Sequence, residues 1–198
     1  MGEWESSMEE VGGVMTKSFL FDSFNIQGVQ LIEGFETQDE RGGSAKNFSY
    51  VELGKNGIDF RPLEILTINS KKNVVRGLHF QREKGQSKLI SCISGELFVA
   101  VVDLRMDSVT LGEWCSVILT KSSQSIYIPI GCAVGTMALN DSIFVCACGE
   151  NIFIPEYDAG IRWDDKQIAI VWPDNKGQEY VVSEKDRSLP MFREHSQE

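Results

Sequence analysis

Residues 88–104 read KLISCISGELFVAVVDL, and this stretch decides the fold class of the chain. It contains two runs of β-branched and other apolar residues, Lys88 to Cys92 and Glu96 to Leu104. Between them stands Ser94-Gly95, a dipeptide that is typical of tight turns. The stretch therefore predicts two antiparallel strands joined by a hairpin turn.

The rest of the chain repeats this pattern on both sides. Further short β-rich runs are Trp114 to Leu119, Ser125 to Ile128, Thr136 to Leu139 and Ile143 to Cys148. Many short strands with close turn signals and no long amphipathic helix favour a sandwich, jelly roll or barrel over an α/β fold. We predict a single domain over residues 17–192, a flexible extension without regular structure over residues 1–16, and a frayed tail over residues 193–198.

Composition and charge exclude several classes of function. The net charge of −10 leaves no clustered Lys and Arg surface for a nucleic-acid backbone. The longest apolar stretches, such as Leu97 to Val102, are far shorter than the roughly 20 residues that cross a membrane, and the acidic first residues do not resemble a secretory signal. Five cysteines without paired CxxC spacing indicate reduced, buried thiols in a cytoplasmic protein.

His79 is the first candidate for a catalytic residue. The chain has two histidines, and His195 lies in the predicted tail, so a metal centre built from several imidazoles is excluded. An isolated histidine is more often structural than catalytic. However, Arg76 and Lys88 flank His79 in sequence, and a hairpin would bring both cations to the imidazole, which suits a phosphorylated or enolisable substrate. The alternative is that both cations are solvated charges at a sheet edge.

A series of motifs around His79 resembles the dTDP-4-dehydrorhamnose 3,5-epimerases, which are cupin-type jelly rolls acting on nucleotide-linked 4-keto sugars. The resemblance runs from about residue 26 to residue 192 and implies an all-β fold, a cupin-type double-stranded β-helix or jelly-roll barrel. The motifs that carry it are Asp39-Glu40-Arg41-Gly42, Arg76-Gly77-Leu78-His79-Phe80-Gln81, Gln86-Ser87-Lys88-Leu89, Gly95-Glu96-Leu97-Phe98, Val102-Asp103-Leu104-Arg105, Ile128-Pro129, residues 160–165 (GIRWDD) and Ser183-Glu184-Lys185-Asp186.

The resemblance implies roles for individual residues. His79 would be the general base that removes a proton next to the ketone, Asp186 would orient its ring, and Lys88 would stabilise the enolate oxygen. Arg41 and Arg76 would hold the sugar and the diphosphate. The resemblance also implies a nucleotide-diphosphate sugar as ligand, a homodimer, and no metal or redox cofactor.

The chain departs from the family pattern on the substrate side. Among the substrate-binding positions, Gln86 is retained, whereas Lys46 and Glu64 replace the family's glutamate and glutamine. Val134 stands where the family has a second active-site histidine. An alignment without gaps as far as Pro155 places the family's tyrosine acid at Ala147.

Three interpretations stay open at this point. The protein is an epimerase for a related 4-keto-6-deoxy sugar, acting at one or both centres, with water, Cys146, Cys148 or another group delivering the proton. Alternatively, the site binds a nucleotide sugar but runs a different enolate reaction. The third interpretation is a non-catalytic paralogue that binds a nucleotide sugar or a partner enzyme.

Overall fold

The computed structural model describes residues 19–192 in full, together with the backbone of residues 8–11 and 14–17. Strands dominate it, with two short helices and one 3-10 turn, Pro155–Tyr157. No helix in this described part is long and apolar enough to cross a membrane. The elements are β1 (Met8–Val11), β2 (Val14–Lys17), β3 (Leu20–Ser23), β4 (Gln30–Glu33), β5 (Phe35–Asp39), β6 (Gly42–Lys46), α1 (Tyr50–Lys55), β7 (Pro62–Ser70), β8 (Val74–Gln81), β9 (Ser87–Ser94), β10 (Leu97–Asp103), β11 (Trp114–Leu119), β12 (Gln124–Ile128), β13 (Cys132–Ala138), β14 (Ser142–Gly149), β15 (Asp158–Gly160), β16 (Val181–Val182) and α2 (Glu184–Arg187).

Two large sheets form the body of the protein. Sheet A has the strand order β11-β10-β13-β8-β15, and β16 also pairs with β8; sheet B has the order β3-β4-β12-β9-β14-β7. From β8 to β14 the chain passes repeatedly from one sheet to the other, which is how a jelly roll closes its barrel. The predicted all-β jelly-roll class is confirmed.

The turn at Ser94-Gly95 does not make the hairpin that its sequence predicts. β9 pairs with β12 and β14 in sheet B, whereas β10 pairs with β11 and β13 in sheet A. All seven residues of β10 are buried, so this strand needs cover on both faces and a partner on each side. Gly95 has φ +88°, and a Cβ there would lie 2.5 Å from the Ser142 side-chain oxygen. The dipeptide therefore fixes a tight reversal, but the burial of the strands decides their partners.

Three apolar layers hold the sheets in place. One fills the space between the two sheets, with Val99, Ile126 and Phe144 among its members. The chain after β15 covers the outer face of sheet A through residues such as Ile161 and Trp172. A third layer lies outside sheet B, where it includes residues of α1. Because the apolar filling of the interior stops short of one end, a cavity remains there between the sheets.

The N-terminal segment contains one pair of strands. Residues 8–11 and 14–17 form an antiparallel pair, Met8 opposite Lys17 through Val11 opposite Val14, largely within the predicted flexible extension. Short stretches with β-branched residues on either side of Gly12-Gly13 are typical of a hairpin. The stretches are too short to show a regular apolar pattern, so the sequence did not indicate strands there. The remainder of the predicted extension, and the predicted tail over residues 193–198, lie outside the described residues.

Candidate active site

A cavity of about 270 Å³ lies between the two sheets and is lined from both sides. Sheet A contributes His79 from β8. Sheet B forms the facing wall with side chains from three neighbouring strands: Glu64, Leu66 and Ile68 of β7, Lys88 of β9, and Cys146 and Cys148 of β14. A polar imidazole therefore faces an ammonium group, a carboxylate and two thiols across a largely apolar space.

A bulge in β8 aims His79 into this cavity. His79 lies opposite Val134 and Arg76 lies opposite Thr136, so three steps along β8 match only two along β13. Such an extra residue re-aims the side chains that follow it. Gly77 is required at the bulge because its φ is +110° and a Cβ would stand 2.6 Å from the Val134 carbonyl oxygen.

Asp186 holds the imidazole from behind. His79 Nε2 lies 2.9 Å from Asp186 Oδ1, and the Gly77 N–H donates to Asp186 Oδ2 at 3.2 Å. Ser183 caps α2 by accepting a hydrogen bond from the Asp186 N–H at 3.1 Å, which fixes the position of the carboxylate. Among the described residues, His79 Nδ1 has no hydrogen-bond partner. This nitrogen is itself buried, and it is the ring nitrogen that Asp186 leaves free to take a proton from a group that reaches it inside the barrel.

The carboxyl of Asp186 is ionised in spite of its burial. Burial raises its pKa, but the hydrogen bond and charge of His79, with the Gly77 N–H and Ser183, outweigh burial and hold the pKa below its ordinary value. A buried carboxylate that accepts the Nε2 hydrogen favours the tautomer with a free Nδ1 lone pair, and it stabilises the imidazolium that forms after proton uptake. The pair is thus arranged so that the imidazole can act as a general base and the carboxylate orients it.

Lys88 lies beside the base. Its Nζ donates a hydrogen bond to the His79 backbone carbonyl at 3.3 Å, which brings the ammonium group of sheet B across to the strand that carries the imidazole. An ammonium group at this place can stabilise a negative oxygen that develops when a neighbouring carbon loses its proton. The structure thus brings together His79, Asp186 and Lys88, the three residues predicted to act in catalysis.

Glu64 and Gln86 meet at the rim of the cavity. The Glu64 carboxylate accepts from Gln86 Nε2 at 3.1 Å and from the Phe153 N–H at 2.7 Å. Gln86 also donates to the Asn151 carbonyl oxygen at 2.8 Å. Both predicted substrate-side residues therefore line the cavity, and each is held by the chain that follows β14.

The three predicted arginine and lysine contacts to the diphosphate and sugar lie elsewhere in the single chain. Arg76 donates to Ser70 Oγ at 2.9 Å, at the end of β7. Arg41 lies at the tip of the β5–β6 hairpin with 84% of its side chain exposed, and Lys46 lies at the end of β6 beside the Phe35 ring. None of the three cations lines the cavity.

One cavity group was missed by sequence reasoning. Lys185 and Asp158 form an ion pair at the cavity wall, and both line it. The available signal was the position of Lys185 directly before Asp186 in a matched motif. Asp158 carried no comparable signal, because its place depends on the pairing of β15 with β8.

The position assigned to the tyrosine acid faces the wrong way. Ala147 packs with Leu89 in the layer outside sheet B, whereas its neighbours Cys146 and Cys148 face the cavity. Side chains alternate along a strand, so a one-residue slip in an ungapped alignment moves a residue to the opposite face. The placement at Ala147 is therefore wrong as a cavity position. None of the chain's four tyrosines, all within residues 19–192, lines the cavity.

Within the described part of the chain, no three His, Cys, Asp or Glu side chains come together in a group that could hold a metal ion. The fold and the site together define a jelly-roll protein with a hydrogen-bonded His–Asp pair and a lysine in a cavity between its sheets.

Comparison with known proteins identifies the family. The family model for dTDP-4-dehydrorhamnose 3,5-epimerase matches residues 23–194. The chain is 40% identical over 178 residues to the dTDP-4-dehydrorhamnose 3,5-epimerase of Methanothermobacter thermautotrophicus, which covers 89% of this chain and 96% of the relative. The chain belongs to the dTDP-4-dehydrorhamnose 3,5-epimerase family.

Solved structures of similar proteins agree with this assignment. The epimerase RmlC from Legionella pneumophila, solved with dTDP-4-keto-L-rhamnose, superposes with a TM-score of 0.83 at 32% identity, over 88% of this chain and 93% of that protein. NovW, a 4-keto-6-deoxy sugar epimerase from Streptomyces spheroides, gives a TM-score of 0.83 at 26% identity, over 94% of each chain. ChmJ, a 3'-monoepimerase from Streptomyces bikiniensis solved with dTDP-quinovose, gives 0.81 at 25% identity, over 88% of each chain.

Proposed function

We propose that this protein epimerises a dTDP-linked 4-keto-6-deoxy sugar at C3, C5 or both, in deoxysugar biosynthesis. The observation that carries the proposal is the His79–Asp186 pair beside Lys88 on the wall of a cavity, in a member of this epimerase family. The domain that performs the reaction is the one predicted over residues 17–192.

The first step is removal of a proton next to the ketone. A 4-keto group acidifies the hydrogens on its neighbouring carbons because the resulting charge is shared with the oxygen. His79 Nδ1 takes the proton, Asp186 stabilises the imidazolium, and the electron pair of the broken C–H bond moves towards the oxygen. The Lys88 ammonium stabilises that oxygen. Return of a proton to the opposite face of the carbon inverts its configuration.

Substrate binding uses the residues at the rim. Gln86 uses both of its N–H donors on Glu64 and Asn151, which leaves its carbonyl oxygen to accept from the ligand. The Glu64 carboxylate can also only accept, so both side chains favour hydroxyl or amino groups on the ligand. Arg76, with its planar guanidinium, suits a diphosphate at the end of the barrel. Arg41 and Lys46 are assigned to the same ligand, and reach it from the β5–β6 hairpin of this chain or of a second copy.

The test is deuterium exchange at carbon. Wild-type protein is incubated in deuterated water with the dTDP-linked 4-keto-6-deoxy form of glucose, and deuterium at C3 and C5 is read by NMR and mass spectrometry. We expect incorporation at one or both positions, and a loss of about 10²–10⁴-fold in its rate for His79→Asn. No incorporation with wild type would contradict enolisation of this substrate and favour a paralogue that only binds. Incorporation at the wild-type rate in His79→Asn would contradict the assignment of the base.

We also propose a homodimer. β7 is an edge strand of sheet B, and its outward side chains Leu63 and Ile65 are 56% and 68% exposed. Ile65 lines a surface pocket together with the exposed Ile93 of β9. An unpaired edge beside an apolar patch favours association with a second copy. Light scattering after size-exclusion chromatography should give twice the 22.2 kDa chain mass for wild type and a shift towards monomer for Ile65→Lys. A monomeric wild type would refute the dimer.

The location that we propose is the cytoplasm. All five cysteines are free, and most are buried. Free thiols persist in reducing compartments, whereas secreted proteins of this size commonly carry disulfides. Fractionation of the native cells, with detection of this chain in the cytosolic fraction, tests the assignment.

A further inference from the structure

The two thiols on the cavity wall have no part in the mechanism so far. Cys146 and Cys148 lie two residues apart on β14, so both project from the same face of the strand. Their sulfur atoms are 3.8 Å apart, and both line the cavity. They belong to sheet B, whereas His79 belongs to sheet A. A planar enolate between the sheets therefore has the imidazole on one side and the thiol pair on the other.

We propose that Cys146 is the acid that delivers a proton to the face of the enolate opposite His79, with Cys148 as its hydrogen-bonded partner. This inference rests on the proposed epimerase function and names the second half of its proton transfer. Inversion requires a proton donor on the far side of the carbon, because a proton returned by His79 alone restores the original configuration.

The other titratable groups on the cavity wall are less suited to this role. Lys88 is bonded to the His79 carbonyl oxygen and is assigned to the enolate oxygen. Lys185 is paired with Asp158. Glu64 accepts two hydrogen bonds at the rim, which keeps its carboxyl as an acceptor. The thiols alone on this wall combine a proton to give with a position facing the base.

The surroundings of the two sulfurs shift their pKa values in opposite directions. The hydrogen bond from Cys146 lowers the pKa of Cys148, and the Lys88 charge assists. The same hydrogen bond, together with burial, raises the pKa of Cys146. Cys146 is therefore the member of the pair that keeps its proton, which is the proton to be given to the enolate.

The proton balance of the step is complete without a cofactor. His79 Nδ1 removes the C–H proton, and the bond pair forms the enolate. The Cys146 S–H bond then breaks, its proton forms the new C–H bond on the other face, and its electron pair stays on sulfur as a thiolate next to Lys88. Water carries the proton of the His79 imidazolium back to this thiolate, which restores both groups.

The experiment compares exchange with inversion in one reaction. Wild type, Cys146→Ala and Cys148→Ala are incubated in deuterated water with the dTDP-linked 4-keto-6-deoxy form of glucose, and deuterium incorporation and epimer formation are both measured. Cys115→Ala is the matched control, because Cys115 is a buried core thiol of the same barrel that does not line the cavity. We expect Cys146→Ala to keep deuterium incorporation within about threefold while epimer formation falls about 100-fold or more.

Comparing deuterium incorporation with epimer formation distinguishes a failure of this inference from a failure of the proposed function. If Cys146→Ala gives the same ratio of epimer formation to deuterium incorporation as wild type, the inference is wrong but the proposed function stands. Wild type without exchange or inversion overturns both. If Cys146→Ala does not fold, wild type treated with methyl methanethiosulfonate replaces it. Loss of inversion with retained exchange, reversed by dithiothreitol, supports the thiol, and unchanged inversion with both cysteines modified refutes it.

Discussion

The substitution Asp186→Asn removes the charge behind the His79 imidazole, our proposed base, and keeps the size of the side chain. Asp186 is 5% exposed and accepts hydrogen bonds from His79 Nε2 at 2.9 Å and from the Gly77 N–H at 3.2 Å. An amide oxygen can accept one of these bonds, but it cannot stabilise the imidazolium that forms when His79 takes a proton. The variant therefore tests the charge of the pair with little change in packing.

The magnitude follows from the two roles of the carboxylate. Loss of the ion that orients and stabilises an active-site imidazole lowers turnover by about 10²–10⁴-fold, which is about 3–5.5 kcal/mol of transition-state stabilisation. The amide oxygen keeps one hydrogen bond, and loss of the other to a charged acceptor costs about 1.5–3 kcal/mol, so the free energy of unfolding should fall by about that amount. The assays are the deuterium exchange rate per folded molecule and urea unfolding.

The stability difference between wild type and Asp186→Asn depends on pH with a definite sign. The pKa of Asp186 is lowered in the folded state below its ordinary value of 3.8, so the wild type gains stability above that value. The gain is lost as the pH falls through the folded-state pKa, because the carboxyl is then protonated in both states. The difference should be complete at pH 7 and shrink below about pH 4.

Asp165→Asn is the matched control. Asp165 is another buried aspartate, and its carboxylate accepts from the Gln167, Ile168 and Phe192 N–H groups without lining the cavity. It should lose stability without a large change in exchange rate per folded molecule. If Asp186→Asn exchanges deuterium as fast as Asp165→Asn, the carboxylate does not assist the base, and the reasoning for the dyad is refuted.

Two further predictions concern the cysteines. Glu64→Gln removes a carboxylate that raises the pKa of Cys148, so alkylation of Cys148 by iodoacetamide, followed by mass spectrometry, should shift to lower pH; an unchanged profile would mean that the two groups do not interact. Burial raises the pKa of Cys115 and Cys132 to about 12, so at pH 8 both should stay unlabelled in native protein while Cys148 reacts, and early labelling of either would contradict their placement in the core.

Sequence alone predicted the strands and the base because both depend on local patterns. The run Trp114 to Leu119 and the strand β11 have the same bounds, and the Arg76 to Gln81 motif led directly to His79. Sheet partners were predicted less well. The turn at Ser94-Gly95 indicates a reversal of direction, and it carries no information on which of two facing sheets receives the next strand.

The side chains that face the cavity were harder to predict from sequence than the strands. The face of each β14 side chain depends on its register with β7 and β9, and that register contains irregularities at both ends of the strand. An ungapped alignment does not include these irregularities. It placed the family's tyrosine acid at Ala147, one residue away from the side chains that face the cavity. The pairing of Lys185 with Asp158 likewise joins two segments 27 residues apart, which no local pattern links.

The register of sheet B also suggests how the site separates its tasks. In one row across three strands, Cys148 lies between Glu64 and Lys88, and in the next row Cys146 lies opposite Leu66. Glu64, which differs from the family pattern, and the apolar Leu66 are therefore direct neighbours of the thiols, while the His79–Asp186 pair is built on β8 and α2 of the opposite side. Because the two walls share no strand, the substrate-facing wall can change its polarity and its proton donor without disturbing the geometry of the base. The apolar Leu66 on the same wall favours a sugar carbon that bears no hydroxyl group.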